Sequence, residues 1–139
     1  MSLAYLDSSA IVKLVVSEPE TEALQRELAQ WDEWISASIT RAEVIRACRL
    51  AAARGLPGAV GQQLVHRAES VVAGIAMLEV DMNLMHAAAA TDPVFLRTVD
   101  AIHLAALLSL GEDVGAVITY DERLAGAARQ HNLPVLTPT

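Results

Sequence analysis

The chain opens with a short apolar segment that ends at an acidic residue, and this junction most constrains what the sequence can fold into. Residues 3–6 read Leu-Ala-Tyr-Leu, Asp7 follows, and Ser8 and Ser9 lead into the apolar stretch 10–14. The pattern predicts a buried strand followed by a helix, with Asp7 at the carboxyl end of the strand. Ligands bind at that edge in open parallel α/β sheets. Asp7 is therefore a candidate site residue, although Asp is also a favoured helix N-cap.

The alternation of apolar strands and helices continues along the whole chain. After a helix running to Gln30, capped by Ser17 or Thr21, a brief strand is predicted in the stretch 31–40, and further strands at 75–80, 116–120 and 133–136. Helices are predicted at 40–54, 61–73, 81–90, 97–110 and 121–130. Strands that alternate with helices indicate an α/β fold, with a parallel sheet between helices. At 139 residues, the chain fits one domain.

The composition of the chain bears on its cellular compartment and on the ligands that it can bind. The only cysteine, Cys48, rules out an internal disulfide, and no apolar run approaches the roughly 20 residues of a membrane span, so we expect a cytoplasmic protein. The formal charge of −7, with Lys13 as the only lysine, weakens a case for nonspecific nucleic-acid binding. No G-x-G-x-x-G fingerprint or P-loop lysine is present, so the sequence does not support the binding of a nucleotide cofactor.

Three further acids are predicted to reach the sheet edge that carries Asp7. Asp121 follows an apolar strand that contains Thr119, Glu43 lies in the first turn of the helix near residue 40, and Asp100 lies early in an apolar helix. Clustered carboxylates repel one another by roughly 4 kcal/mol per pair at contact distance. A cation relieves that repulsion, and oxygen ligands suit Mg²⁺ or Mn²⁺ better than zinc. Such a site can support metal-assisted phosphodiester cleavage.

Each acid also has a purely structural interpretation. Glu43 fits the acid of a capping box with Thr40 as the cap, and Asp121 fits an N-cap. Asp100 is costly to bury unless it is paired, and Arg97 is one turn away. The crowding of all four acids at one edge is what favours a functional site.

The ordered motifs resemble those of the PIN-domain ribonucleases, and most closely the VapC toxins of bacterial toxin–antitoxin pairs. The resemblance rests on Leu6-Asp7-Ser8-Ser9-Ala10, on Thr40-Arg41-Ala42-Glu43, on the segment from Arg97 to Ala105 and on Thr119-Tyr120-Asp121. It implies a single PIN-like nuclease domain over residues 1–139, a three-layer sandwich whose short, mostly parallel sheet is flanked by helices.

The same resemblance implies an activity and partners. It implies a Mg²⁺- or Mn²⁺-dependent endoribonuclease that cuts structured RNA such as tRNA or rRNA, leaving 5′-phosphate and 3′-hydroxyl ends. It further implies a homodimer and a VapB-type antitoxin that blocks the site. The implied catalytic and metal-binding residues are Asp7, Glu43, Asp100 and Asp121, with Ser8, Ser9 and Thr119 as supporting hydroxyls.

Some residues near the acids keep more than one interpretation. Arg41, Arg46 and Arg97 are candidates for RNA contacts. His103 follows Asp100 by one turn, which leaves contact with the site open, although a satisfied core histidine is the favoured interpretation. Tyr5 fits a core or interface position.

Two alternative functions explain the sequence less well. The first is a catalytically inactive α/β module that binds a partner, which four acids at one edge disfavour. The second is a phospho-receiver domain, which needs a lysine after a late strand and therefore fails, because Lys13 lies in the first helix.

Overall fold

Strands and helices alternate along the chain, as the sequence pattern predicts. The computed structural model describes residues 2–139. Its elements are β1 (Leu3–Leu6), α1 (Ser8–Val15), α2 (Thr21–Leu28), β2 (Glu33–Ala37), α3 (Ile39–Ala53), α4 (Gly58–Ala73), β3 (Ala76–Leu78), α5 (Met82–Ala89), α6 (Thr98–Leu110), a 3₁₀ turn (Gly111–Asp113), β4 (Ala116–Ile118), α7 (Glu122–Gln130) and β5 (Val135–Leu136).

The five strands form one sheet in the order β3-β2-β1-β4-β5, with every pair parallel. Strand β1 is central, and the chain builds the sheet outward from it, first through β2 and β3 and then through β4 and β5. The order therefore reverses between β1 and β4, where Leu6 pairs with Ile118. A ligand crevice forms at the carboxyl ends of the strands at such a switch point.

Helices cover both faces of the sheet, which gives the predicted three layers. On one face, Ala4 and Leu6 of β1 pack with buried residues of α1, α2, α3 and α4. On the other face, Tyr5 of β1 packs with buried residues of α5, α6 and α7. Successive strand residues point to opposite faces, so β1 contributes to both cores. The fold-class prediction is confirmed.

Helix α6 is the most deeply buried helix, as its apolar sequence predicts. Every residue from Asp100 to Leu107 is buried, so a charged and an imidazole side chain lie inside the molecule. Such side chains require partners. No helix among residues 2–139 is long and apolar enough to cross a membrane.

Two local predictions were wrong at helix starts. Glu20 occupies the N-cap position of α2 without a side-chain capping bond, rather than Ser17 or Thr21, and Thr21 instead donates a hydrogen bond to the Lys13 carbonyl. Helix α4 begins at Gly58 rather than at Gly61, because Pro57 takes its N-cap position. In both cases the observed helix start lies within one turn of the predicted one.

Candidate active site

Asp7 is buried at the carboxyl end of β1 and is fully hydrogen-bonded. Its Oδ1 accepts bonds from Ser9 Oγ (2.6 Å) and from the Ala10 backbone N–H (3.1 Å), and its Oδ2 accepts one from Thr119 Oγ1 (2.7 Å). Burial raises the pKa of this carboxyl, against the opposing effect of the Ser9 and Thr119 hydrogen bonds. Asp7 therefore caps α1 and also presents a carboxylate at the switch point, so the two interpretations of this residue coexist.

The hydroxyls of Ser9 and Thr119 join the starts of α1 and α7. Thr119 Oγ1 accepts a bond from the Asp121 backbone N–H (3.0 Å), and Ser9 Oγ accepts one from the Tyr120 backbone N–H (2.9 Å). These bonds connect the ends of neighbouring strands β1 and β4. Of the three hydroxyls predicted as supporting residues, those of Ser9 and Thr119 bond to Asp7, and that of Ser8 bonds to Glu43.

Glu43 reaches the same crevice from α3. Its Oε2 accepts a bond from Ser8 Oγ (3.2 Å), and its Oε1 lies 2.7 Å from His103 Nε2. The capping-box interpretation is wrong, because α3 has Ser38 at its N-cap position and Thr40 lies inside the helix, 2.7 Å from Ser36 Oγ. Glu43 is therefore free of any capping role and faces residues of α1 and α6.

His103 contacts a candidate site acid, the less favoured of its two sequence interpretations. The side chain is buried, with Nδ1 2.7 Å from the Tyr5 hydroxyl and Nε2 at Glu43. Its spacing of three residues from Asp100 was the available signal, since residues three apart share a helix face. The prediction of a core histidine is correct for its burial but incomplete for its contacts.

Arg97 joins the remaining two acids. Its Nε donates to Asp100 Oδ2 (3.2 Å), and its Nη2 lies 3.7 Å from Asp121 Oδ2. The Asp121 Oδ1 meanwhile accepts bonds from the backbone N–H groups of Arg123 and Leu124 at the start of α7. The predicted ion pair of Asp100 is thus present, and Asp121 is an N-cap. The Arg97 side chain is 61% exposed, whereas that of Asp100 is 6% exposed.

The donor atoms suit a hard divalent cation, although they do not surround one point. Carboxylate and hydroxyl oxygens are the ligands that Mg²⁺ and Mn²⁺ prefer. Across residues 2–139, however, no three side chains of His, Cys, Asp or Glu are grouped closely enough to enclose an ion. The guanidinium of Arg97 lies instead between two of the candidate ligands. An ion held by Asp100 and Asp121 would compete with Arg97 for these two carboxylates.

Two of the three arginines proposed for RNA contacts lie on α3. Arg41 and Arg46 are both exposed, and neither forms an ion pair with another described residue. Arg46 follows Glu43 by three residues and so shares its face of the helix, whereas Arg41 does not. Arg46 is consequently better placed than Arg41 to meet a ligand at the acids.

The fold and the site define an α/β protein with candidate acids at the carboxyl ends of β1 and β4, the topological switch point of a parallel sheet. A family model described as the PIN domain matches residues 4–137. The chain therefore belongs to the PIN-domain family.

Relatives within this family carry the name Ribonuclease VapC. VapC46 of Mycobacterium tuberculosis (strain H37Rv) is 39% identical over 139 residues, which cover 100% of both chains. VapC35 of Mycobacterium tuberculosis (strain CDC 1551) is 36% identical over 98% of this chain and 97% of its own. A crystal structure of Mycobacterium tuberculosis VapC20, described as a sarcin-ricin loop cleaving toxin, has a similar fold, with a TM-score of 0.69 and 16% identity over 89% of this chain and 94% of its own.

Proposed function

We propose that this chain is a metal-dependent endoribonuclease, the toxin component of a type II toxin–antitoxin pair, which hydrolyses phosphodiester bonds in structured RNA such as tRNA or rRNA. One observation carries the proposal: acids from four separate segments lie at the carboxyl edge of the sheet, linked by hydrogen bonds of Ser8 and Thr119 and by a shared arginine. Relatives named ribonucleases at 39% and 36% identity over nearly the whole chain support the RNA substrate.

Asp7, Glu43, Asp100 and Asp121 are the residues that would hold Mg²⁺ or Mn²⁺. When bound, such an ion lowers the pKa of a water molecule and offsets negative charge on the phosphate. The buried Asp7 supports this assignment, because a carboxylate taken out of water is stabilised by a nearby cation. Ser8, Ser9 and Thr119 orient the carboxylates of Glu43 and Asp7, so their role is positioning.

Arg97 is proposed to change partners during substrate binding. Its exposed guanidinium neutralises Asp100 and Asp121 in the absence of substrate. A guanidinium released from these acids can donate two parallel hydrogen bonds to a phosphate group. Arg46, on the face of α3 that carries Glu43, is proposed to contact the RNA backbone beside the cleavage point.

A homodimer and a VapB-type antitoxin complete the proposal. Val94 and Phe95 are almost fully exposed in the loop before α6, and Met82 and Met85 are exposed on α5. Large apolar side chains clustered at a surface support contact with a protein partner. Sedimentation of the isolated chain is expected to show a dimer, and a monomer would contradict this part of the proposal.

Cleavage by the purified, partner-free protein tests the proposed function. We expect host RNA to be cut with Mn²⁺ or Mg²⁺ and to stay intact with a chelator. Asp7→Asn is expected to lower the cleavage rate by more than about 100-fold. Replacing a residue that only hydrogen-bonds to a metal ligand already lowers metal affinity or activity about 10- to 100-fold. Asp81→Asn is the matched control, because Asp81 caps α5 in the same way, through the Leu84 backbone N–H.

The outcomes separate the proposal from the partner-binding alternative. A wild-type protein that cuts no RNA with either metal ion would favour the catalytically inactive module. Full activity in the Asp7→Asn variant would remove the carboxylate site from the mechanism. Sequencing of the cleaved ends is expected to show 5′-phosphate and 3′-hydroxyl groups.

A further inference from the structure

A buried pair of polar side chains, Tyr5 and His103, lies behind Glu43. Tyr5 is on β1 and is 0% exposed, and His103 is on α6 and is 2% exposed. The phenol oxygen lies 2.7 Å from His103 Nδ1, and the two rings meet edge to face with their centroids 6.0 Å apart. The opposite ring nitrogen, Nε2, lies 2.7 Å from Glu43 Oε1. A continuous hydrogen-bonded chain thus leads from the core to a candidate site carboxylate.

The direction of the hydrogen bonds follows from the chemistry of the three groups. The Glu43 carboxylate oxygen can only accept, so the hydrogen between it and Nε2 belongs to the ring, and a neutral ring then accepts the Tyr5 hydroxyl hydrogen at Nδ1. An imidazole whose Nδ1 accepts a hydrogen bond carries its own proton on Nε2. That nitrogen therefore donates to Glu43 Oε1. Tyr5 sets the tautomer of His103, and His103 presents a donor to the carboxylate.

The position of Glu43 depends on this donor. The glutamate side chain is 28% exposed and has several rotatable bonds, so it needs contacts to hold one conformation. Ser8 from α1 fixes one carboxylate oxygen, and His103 from α6 fixes the other. His103 and Asp100 lie three residues apart on α6, so a single turn carries one candidate metal ligand and orients another.

We propose that Tyr5 and His103 form a positioning pair that holds the Glu43 carboxylate in the orientation needed to bind a divalent cation with the other acids. This inference rests on the proposed function and adds two residues to it. Metal-ligating side chains commonly depend on such outer hydrogen bonds for their orientation. A purely structural role for the pair would affect folding stability alone.

Cation binding measured without RNA separates these two roles. Titration of the metal-free protein with Mn²⁺ by calorimetry is expected to show affinity lowered roughly 10- to 100-fold in Tyr5→Phe and in His103→Leu. His103→Gln is expected to keep most of the affinity, because the glutamine amide nitrogen takes the place of Nε2 as donor. Tyr120→Phe is the matched control: it removes the hydroxyl of the other tyrosine, which donates to the Pro138 carbonyl at the same 2.7 Å.

A spectroscopic measurement tests the tautomer directly. Long-range ¹⁵N–¹H correlation spectra of the wild type at neutral pH are expected to show His103 protonated on Nε2, and Tyr5→Phe is expected to weaken that preference. A neutral ring protonated on Nδ1 would overturn the inference, because His103 would then offer no donor to Glu43.

The remaining outcomes distinguish the inference from the function on which it rests. A wild type that binds Mn²⁺ and cuts RNA, together with folded Tyr5→Phe and His103→Leu variants of unchanged affinity, would overturn the positioning role alone. A wild type that neither binds Mn²⁺ nor cuts RNA would overturn the proposed function, and the inference with it. Melting curves recorded for every variant separate lost affinity from lost structure.

Discussion

Asp7 combines a local structural role with an unfavourable electrostatic environment. Its carboxylate caps α1 and accepts bonds from two hydroxyls, yet it is buried, which raises its pKa from the ordinary value of 3.8. The folded protein therefore binds a proton at this residue more tightly than the unfolded chain does. The wild type consequently loses stability as the pH rises from 3.8 towards the folded-state value, because ionisation is costlier in the folded state.

Asp7→Asn is expected to raise the melting temperature of the metal-free protein at about pH 7. Asn remains neutral at every pH and also caps helices well. The gain should shrink below the ordinary pKa of 3.8, where Asp7 is protonated in both states. Melting curves across pH in the presence of a chelator provide the measurement, and Asp81→Asn at an exposed cap is the control. A difference between variant and wild type that does not change with pH would contradict the electrostatic cause.

Arg97 competes with any cation for two of the candidate ligands. Its guanidinium is largely exposed, whereas its partner Asp100 is buried, so solvent screens this pair only in part. Arg97→Gln is expected to tighten Mn²⁺ binding in the absence of RNA, because the competing charge is gone. The same change is expected to raise the KM for RNA through loss of a phosphate contact.

Arg123→Gln is the matched control for Arg97. Arg123 is exposed at the start of α7, where its backbone N–H bonds to Asp121, and forms no ion pair with another described residue. Calorimetry of both variants compares the loss of a paired and an unpaired arginine. Weaker Mn²⁺ binding by Arg97→Gln would show that Arg97 assists the ion rather than competing with it.

At the scale of elements, the packing of α3 against α4 requires a glycine. A Cβ added at Gly61 would lie 2.9 Å from the Cβ of Ala52, closer than two carbons approach without movement. Gly61→Ala therefore forces the helices apart at a cost of about 1–3 kcal/mol. The higher helix propensity of alanine offsets this cost by about 1 kcal/mol. The net expectation is a protein with unchanged or lowered free energy of unfolding.

Gly126→Ala provides the opposite case in α7. An added Cβ there meets nothing within 4 Å, so the propensity gain of about 1 kcal/mol is expected to raise the free energy of unfolding. Urea denaturation of both variants measures the contrast. Equal stabilisation by the two changes would show that α3 and α4 can separate without cost.

At the scale of the whole molecule, the charge of −7 limits how RNA can be held. The candidates for phosphate contacts are Arg41, Arg46 and Arg97, of which Arg46 and Arg97 lie nearer the acids. Single-stranded contacts contribute about −0.7 each to the slope of log affinity against log salt, so we expect a slope of about −2. Anisotropy of labelled RNA with the Asp7→Asn variant measures it.

Single substitutions assign that slope to residues. Each Arg→Gln change among the three is expected to reduce the slope by about 0.7. Arg26→Gln should leave it unchanged, because Arg26 pairs with Glu22 on α2. A slope much steeper than −2 would show that further basic residues contact the RNA.

The features that the sequence alone determined are those that depend on residues close together along the chain. Apolar runs and their periodicity gave the strands and helices, and the acid at each strand end followed from its position, as with Asp7 and Asp121. The ordered motifs predict the four acids as one set. Capping is equally local, since Asp81 caps α5 through the backbone N–H of Leu84, three residues along the chain.

The tertiary structure alone decided which distant groups meet. Thr119 donates to Asp7 across 112 residues because β1 and β4 are neighbours in the sheet, and Glu43 pairs with His103 rather than capping its own helix with Thr40. Local spacing made the capping box plausible, but Glu43 instead gained its contacts from α1 and α6 when those helices packed around it. Buried polar groups take partners from whichever elements the packing brings within reach, and that depends on the whole chain.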